Sequence, residues 1–228
     1  MQLTYYGHAA FSILVSGKEL LFDPYISPNE ATHGIVDVDK LRPDYILASH
    51  AHIDHVADVE RIAKAGGAPV ICNFEMGNYF EAKNGLQNVQ RLNPGGAKLF
   101  DFGRVKGTSA IHTSSFADGT YGGIAGGFLV QTEEGDFYYS GDTALTMDMK
   151  LIAEEAKLSF AILPIGDLFT MGYADAARAA EFLNVDTIVG VHYDTWPPIA
   201  IDKAAAKDHF RAAGKTLLLP ALGETINL

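Results

Sequence analysis

The sequence has a single cysteine, few cationic side chains and no long apolar run. Cys72 has no second cysteine to pair with, which excludes an internal disulfide and is typical of a reducing cytoplasm. Apolar runs such as TLLLPAL are far shorter than the roughly 20 residues that a transmembrane helix needs. No basic leader followed by an apolar block opens the chain. We therefore expect a cytoplasmic protein that does not bind a membrane.

The small number of cationic side chains limits the kinds of partner that the protein is expected to bind. Lysine and arginine total 17 against 28 aspartates and glutamates, which gives a formal net charge of -11. Because nucleic-acid binding draws most of its affinity from cations that contact phosphates, this balance argues against a nucleic-acid partner. A small-molecule substrate is the expected partner.

What the chain does have is a regular alternation of strand-like and helical segments. With 228 residues and 48% hydrophobic content it can bury a full core. Each half begins with antiparallel-looking β segments and ends with strand–helix alternation. Two such halves packed sheet to sheet predict an α/β fold, a four-layer αβ/βα sandwich formed by one domain over residues 1–228.

Local patterns predict the individual elements. Helical periodicity is present over residues 56–66, and Asn84-Gly85 predicts the end of a helix that begins near residue 74. GGFLVQT and DFYYSGD flank a short turn and predict a hairpin. Further helices are predicted over residues 146–156, 174–184 and 201–214.

The stretch SHAHIDHV, residues 49–56, contains three of the eight histidines. It lies where a predicted buried strand ends and a helix begins, at the sheet edge where α/β proteins place their sites. His50 and His52 are two residues apart, so in extended backbone both rings face one point, and Asp54 and His55 can address a second point. Imidazole and carboxylate are ligands of zinc, manganese and iron, so the run predicts a metal site.

Three further candidate ligands follow predicted strands. They are His112, Asp142 and His192. Taken singly, each histidine could be a core residue with a satisfied ring, and Asp142 in SGDT could be a turn residue. The repeated placement just past a β segment favours a shared site.

HAHIDH, residues 50–55, resembles the HxHxDH signature of the metallo-β-lactamase fold hydrolases. A narrower resemblance is to a bacterial branch of metal-dependent hydrolases similar to ascorbate-6-phosphate lactonases. It rests on GHAAFSI, SHAHIDHV, SSFADGTYGG, SGDTALTMDMKLI, LPIGDLFTMG and HYDTWPPI.

The resemblance implies two divalent metal ions, with zinc expected first and manganese or iron as alternatives. It implies that His50, His52 and His112 hold one ion, that Asp54, His55 and His192 hold the other, and that Asp142 bridges them. It is also compatible with a homo-oligomer.

Two cations that share a water lower its pKa towards neutrality, so attack by metal-bound hydroxide is the expected reaction. The lactonase resemblance favours a lactone or another ester as substrate. A phosphodiesterase that uses the same metals and a catalytically silent metal-binding scaffold are the alternatives.

Asp54, already a candidate ligand, and four other residues are candidates for catalytic or supporting roles. Asp54 and His8 are candidate catalytic residues, with His8 expected near the mouth of the site as a substrate contact or proton donor, or else as a turn histidine bonded to backbone. Asp167 follows a buried strand and is a candidate for the pocket wall or for catalysis. The alternative is that it is an ordinary acidic residue of a loop. Asp23 is expected to orient the metal loop, or to be an ordinary turn carboxylate, and Asp194 to raise the basicity of His192.

Overall fold

Two seven-stranded sheets lie at the centre of the structure, a computed structural model that describes residues 1–228. The strands are β1 (Gln2–Gly7), β2 (Ala10–Val15), β3 (Lys18–Phe22), β4 (Tyr45–Leu47), β5 (Val70–Cys72), β6 (Val89–Arg91), β7 (Ala97–Phe100), β8 (Gly103–Ser109), β9 (Gly126–Thr132), β10 (Gly135–Tyr139), β11 (Leu158–Pro164), β12 (Thr187–Val191), β13 (Thr216–Leu218) and β14 (Thr225–Asn227). One sheet has the order β14-β1-β2-β3-β4-β5-β6 and the other β13-β12-β11-β10-β9-β8-β7. In each, antiparallel pairs on one side give way to parallel pairs on the other.

Helices cover the outer faces of both sheets. They are α1 (Ile53–Val56), α2 (Val59–Gly66), α3 (Phe74–Asn84), α4 (Met149–Glu155), α5 (Tyr173–Phe182) and α6 (Lys203–Ala212), with 3-10 helices at Glu30–Thr32, Val38–Lys40 and Pro197–Ile199. None of these helices combines the length and the apolar character that a membrane crossing requires.

Side-chain alternation along the strands separates three apolar layers. In β10, Phe137 and Tyr139 face the other sheet, whereas Tyr138 packs under α4 and α5. The same period of two places Phe128 and Val130 of β9 between the sheets. A third cluster lies between the first sheet and helices α2 and α3. The four-layer αβ/βα arrangement predicted from the sequence is confirmed.

The predicted elements agree with the structure except at short segments. The β9–β10 hairpin is confirmed, and α3 ends at Asn84 with Gly85 in the left-handed conformation at φ 68°. The helix predicted over residues 56–66 is α2, which begins later, at Val59, because Val56 is the last residue of the separate short helix α1. The strand β14 was not predicted and pairs antiparallel with β1.

The fold brings the ends of six strands to one edge of the sandwich. His8 follows β1, Asp23 follows β3, and the run from His50 to His55 follows β4. Loops after β8, β10 and β12 carry the remaining candidate ligands, His112, Asp142 and His192.

Candidate metal centre

Three imidazoles form the first group of the site. His50 Nε2 lies 3.0 Å from His52 Nδ1, and one ring nitrogen of His112 lies within 4.8 Å of a nitrogen of each. His50 is buried, whereas His52 and His112 are half-buried. Ser49 Oγ lies 3.0 Å from His50 Nδ1, which turns Nε2 of that ring towards the group. The arrangement offers three nitrogen ligands to one point.

Asp54, His55 and His192 form a second group next to the first. Nε2 of His55 and Nε2 of His192 lie 3.6 and 3.7 Å from Asp54 Oδ2. The Asp142 carboxylate lies between the two groups, because its Oδ2 is 3.2 Å from His55 Nε2, 3.1 Å from His192 Nε2 and 3.6 Å from His112 Nε2. The structure therefore brings together all seven residues that the sequence analysis nominated as ligands.

The electrostatics of these residues fit divalent cations. His55 Nε2 is buried and has no hydrogen-bond partner, although it points into the cluster. Burial lowers the pKa of His50 well below its ordinary value. Burial acts in the same direction on His192, but the charge of Asp142 outweighs it and raises the pKa of His192 to about 9. At His55 burial is likewise outweighed by Asp142 and Asp54, which raise its pKa well above its ordinary value, so the carboxylates draw positive charge into the cluster, and divalent cations held by neutral imidazoles would supply that charge.

Both carboxylates in the cluster favour their ionised state. Burial alone would raise the pKa of Asp54, but nearby His55, His192 and His8 lower it below its ordinary value. The same opposition holds for Asp142, where His55 and His192 outweigh burial and lower the pKa well below its ordinary value. Ionised oxygens are therefore available as ligands.

Asp23 contacts His55 at Nδ1, the ring nitrogen that faces away from the cluster. This fully buried carboxylate accepts hydrogen bonds from Ser49 N at 2.7 Å, Ser49 Oγ at 2.5 Å and Tyr139 OH at 2.6 Å. Its Oδ2 also lies 2.8 Å from His55 Nδ1, which fixes the proton on Nδ1 and leaves Nε2 free to ligate. The geometry supports the sequence-based proposal for Asp23.

His8 lies inside the protein rather than at the mouth of the site. Its ring is buried, with Nε2 3.0 Å from Asp54 Oδ2 and Nδ1 2.7 Å from Thr195 Oγ1. A backbone φ of 54° turns the side chain inwards, which the sequence could not show. Burial lowers the pKa of His8 to about 4, so the ring is neutral near pH 7. The geometry is that of a side chain that orients Asp54.

Asp167 and Asp194 are not brought to the cluster. Asp167 is exposed, and its Oδ1 accepts a hydrogen bond from the neighbouring Leu168 N at 2.8 Å. The Asp194 carboxylate accepts from Ile201 N at 2.9 Å and pairs with Lys203 Nζ at 2.9 Å. His192 Nδ1 is left without a hydrogen-bond partner, so the carboxylate contact expected for this ring is absent.

Backbone strain concentrates around the site. Six of the eight non-glycine residues with positive φ lie in the loops that surround it, and they are His8, Asp23, Asp167, Leu168, His192 and Asp194. Non-glycine residues adopt this conformation at a cost that the surrounding structure must sustain, and such residues cluster at functional sites.

A cavity of about 590 Å³ opens above the cluster. Several residues that line it were not predicted from the sequence, and they are Tyr25, Ile53, Thr113, Leu168, Phe169 and Trp196. Trp196 could have been noticed, because it is the only tryptophan of the chain and lies four residues after His192. The apolar residues carry no chemical signature, so their presence in the cavity follows only from the structure.

Comparison with known proteins agrees with this geometry. The sequence model of the β-lactamase superfamily domain matches residues 2–192. The chain belongs to the β-lactamase superfamily. Within the superfamily it is 48% identical to a UPF0173 metal-dependent hydrolase of Christiangramia forsetii, with all of both chains covered. It is 41% identical to the UPF0173 metal-dependent hydrolase YtkL of Bacillus subtilis, again with all of both chains covered.

A solved structure of a metallo hydrolase has the same architecture. Igni18, a metallo hydrolase from the archaeon Ignicoccus hospitalis, is 30% identical, with a TM-score of 0.87 and coverage of 99% of this chain and 97% of its own. The chain is therefore a member of a family of metal-dependent hydrolases. The narrower resemblance to ascorbate-6-phosphate lactonases stays a prediction.

Proposed function

We propose that the protein is a dinuclear metal-dependent hydrolase of a small molecule, with a lactone or another ester as substrate. The observation that carries the proposal is the position of Asp142 Oδ2, which lies 3.1–3.6 Å from imidazoles of both groups. An oxygen shared in this way is what a bridging ligand between two cations requires. Zinc is the first candidate, and manganese and iron use the same ligands.

The residues divide between the two ions as the superfamily pattern implies. His50, His52 and His112 would hold one ion, Asp54, His55 and His192 the other, and Asp142 both. Bound cations of this kind lower the pKa of water and polarise the bond under attack.

The chain's own residues then orient the groups and move the proton. The Asp54 carboxylate, whose Oδ2 contacts His8, lines the cavity and can accept a proton as the substrate is cleaved. His8 holds this oxygen through Nε2, and Thr195 holds His8 through Nδ1. Asp23 keeps His55 in the tautomer that ligation needs.

A substrate panel tests the proposed reaction. Metal-loaded protein should hydrolyse lactones or p-nitrophenyl esters faster than bis-p-nitrophenyl phosphate. Turnover of the phosphodiester alone would contradict the ester assignment and identify a phosphodiesterase. Full metal content without turnover of any of these substrates would identify a silent scaffold.

His52→Ala tests the ligand assignment. Loss of one of three nitrogen ligands should reduce bound metal from two equivalents towards one. It should also lower kcat/KM at least about 100-fold, because the loss of a residue that only orients a metal ligand already lowers metal affinity or activity about 10–100-fold. Because His52 is half-buried, its loss should leave the far-UV circular dichroism unchanged. Metal is measured by elemental analysis of the purified variant.

His33→Ala is the matched control, because His33 is exposed and its Nε2 contacts only Ser27 O at 3.0 Å. It should keep two equivalents of metal and full activity. Unchanged metal content in His52→Ala, or an equal loss in both variants, would contradict the assignment.

We also propose that the enzyme acts in the cytoplasm. The support is the single, buried Cys72, whose thiol pKa is raised by burial and which cannot form an internal disulfide. Assembly into a homo-oligomer stays a prediction of the family resemblance.

A further inference from the structure

The walls of the cavity are apolar and carry no cationic side chain. Above the metal cluster they consist of Tyr25, Ile53, Leu168, Phe169 and Trp196, with Thr113 as the neutral polar group. No lysine or arginine is among the residues that line it. Lys203 follows the cavity residue Trp196 by only a few positions in the sequence, but its Nζ pairs with Asp194 at 2.9 Å and lies over the Tyr193 ring. A charged group of a ligand that lies away from the metals would therefore find no counter-ion.

Three of these large apolar side chains are more than half exposed to solvent. The exposed fractions are 53% for Ile53, 65% for Leu168 and 54% for Phe169. Ile53 immediately precedes Asp54, and the other two reach the same cavity from the loop after β11. Apolar walls that converge on a few polar groups are typical of small-molecule sites.

The loop that carries Leu168 and Phe169 is fixed in a strained conformation. Asp167 and Leu168 are consecutive and have φ of 62° and 57°, and a left-handed leucine is an outlier among residue types. A bridge between Gly166 and Gly172 closes the loop at its base. Met171 N donates to Thr143 O at 2.9 Å, which ties the loop to the residue after Asp142. The protein therefore holds two apolar side chains in solvent, at a cost, beside its metal ligands.

From these observations we infer that the site takes an uncharged substrate with an apolar group, such as an acyl or alkyl chain, that packs against Leu168, Phe169 and Trp196. The inference rests on the proposed function, because the scissile bond is assigned to the metal cluster. It excludes substrates that carry a phosphate or carboxylate remote from the scissile bond, including sugar-phosphate lactones.

Hydroxamates test the inference by binding, without reliance on turnover. The hydroxamate head binds a metal centre, and the tail lies in the cavity. Isothermal titration of metal-loaded protein should show that octanohydroxamate binds at least about thirtyfold more tightly than acetohydroxamate, from about threefold per methylene over the first few carbons. The monohydroxamate of octanedioic acid, which has the same length and ends in a carboxylate, should lose most of this gain.

Leu168→Ser combined with Phe169→Ser should remove most of the gain and leave acetohydroxamate binding unchanged. Both side chains are more than half exposed, so the fold should persist. Leu99→Ser is the matched control, since Leu99 is 77% exposed on β7 and does not line the cavity. It should keep the full dependence on tail length.

The possible outcomes separate this inference from the proposed reaction. Affinity independent of tail length, tighter binding of the carboxylate-ended compound, or an unchanged gain in the double variant would overturn the inference, even for an active esterase. Tail-dependent binding without turnover of any ester would support the cavity assignment and overturn the proposed reaction. Failure of every hydroxamate to bind would overturn both.

Discussion

Asp54→Asn is expected to lower kcat/KM by about 10³-fold, the scale of a lost proton-transfer group. The amide has nearly the same shape but cannot accept a proton at Oδ2 or offer a charged ligand beside His55 and His192. The amide oxygen can still accept the hydrogen bond from His8 Nε2, which lies 3.0 Å from Asp54 Oδ2, so the expected loss reflects the missing charge and proton acceptor. The assay is steady-state hydrolysis of a p-nitrophenyl ester at saturating metal, with metal content measured on the same sample.

Asp167→Asn separates the two aspartates that the sequence nominated for catalysis. The Asp167 carboxylate bonds the Leu168 backbone nitrogen of its own loop, and the asparagine oxygen can accept the same bond. Activity should therefore change by less than about threefold, as expected for an exposed side chain with its hydrogen bond preserved. An equal loss of activity in both variants would indicate that Asp167 also accepts a proton. Near-parental activity of Asp54→Asn at equal metal content would contradict the assignment of Asp54.

Asp23→Ala should be the most destabilising single substitution near the site. Its loss leaves Ser49 N, Tyr139 OH and His55 Nδ1 buried without their acceptor. The free energy of unfolding should fall by about 3–5 kcal/mol, which is typical when one member of a buried charged network is removed. The melting temperature should fall by about 10 °C for a chain of this length. Bound metal should fall as well, because His55 loses the group that sets its tautomer.

Asp44→Ala is the comparison for Asp23→Ala. Asp44 pairs with Lys18 at 3.2 Å, with side chains that are 39% and 34% exposed. Exposed pairs of this kind contribute about 0–1 kcal/mol. Chemical denaturation of both variants measures the difference, and equal losses would show that Asp23 is no more than a turn carboxylate.

The layers of the fold could be predicted because each sheet alternates its side chains between two apolar environments. In β10 the sequence FYY places Phe137 and Tyr139 on one face and Tyr138 on the other, which is the pattern of a strand buried on both sides. The strand β14 has no such pattern, since Thr225–Asn227 is short and partly exposed. It forms because the fold brings the C-terminus beside β1, a contact that no local signal encodes.

The candidate ligands could be nominated because histidine and aspartate recur just past several predicted strands, and because HAHIDH resembles a known metal-binding signature. The residues that surround the ligands could not be predicted from the sequence, because their positions depend on backbone angles and because their residue types are common. The φ of 54° at His8 sends that ring into the core against Asp54, and the turn at Asp194 directs its carboxylate to Lys203 instead of His192. Leu168 and Phe169 reach the cavity only through the strained loop after β11.

Anomalous diffraction from crystals of the metal-loaded protein, collected above and below the absorption edge of the metal, tests the central claim most directly. The account predicts two peaks per chain, one contacting His50, His52 and His112, the other contacting Asp54, His55 and His192, with Asp142 in contact with both. A single peak, or peaks that lie away from these seven residues, would contradict it.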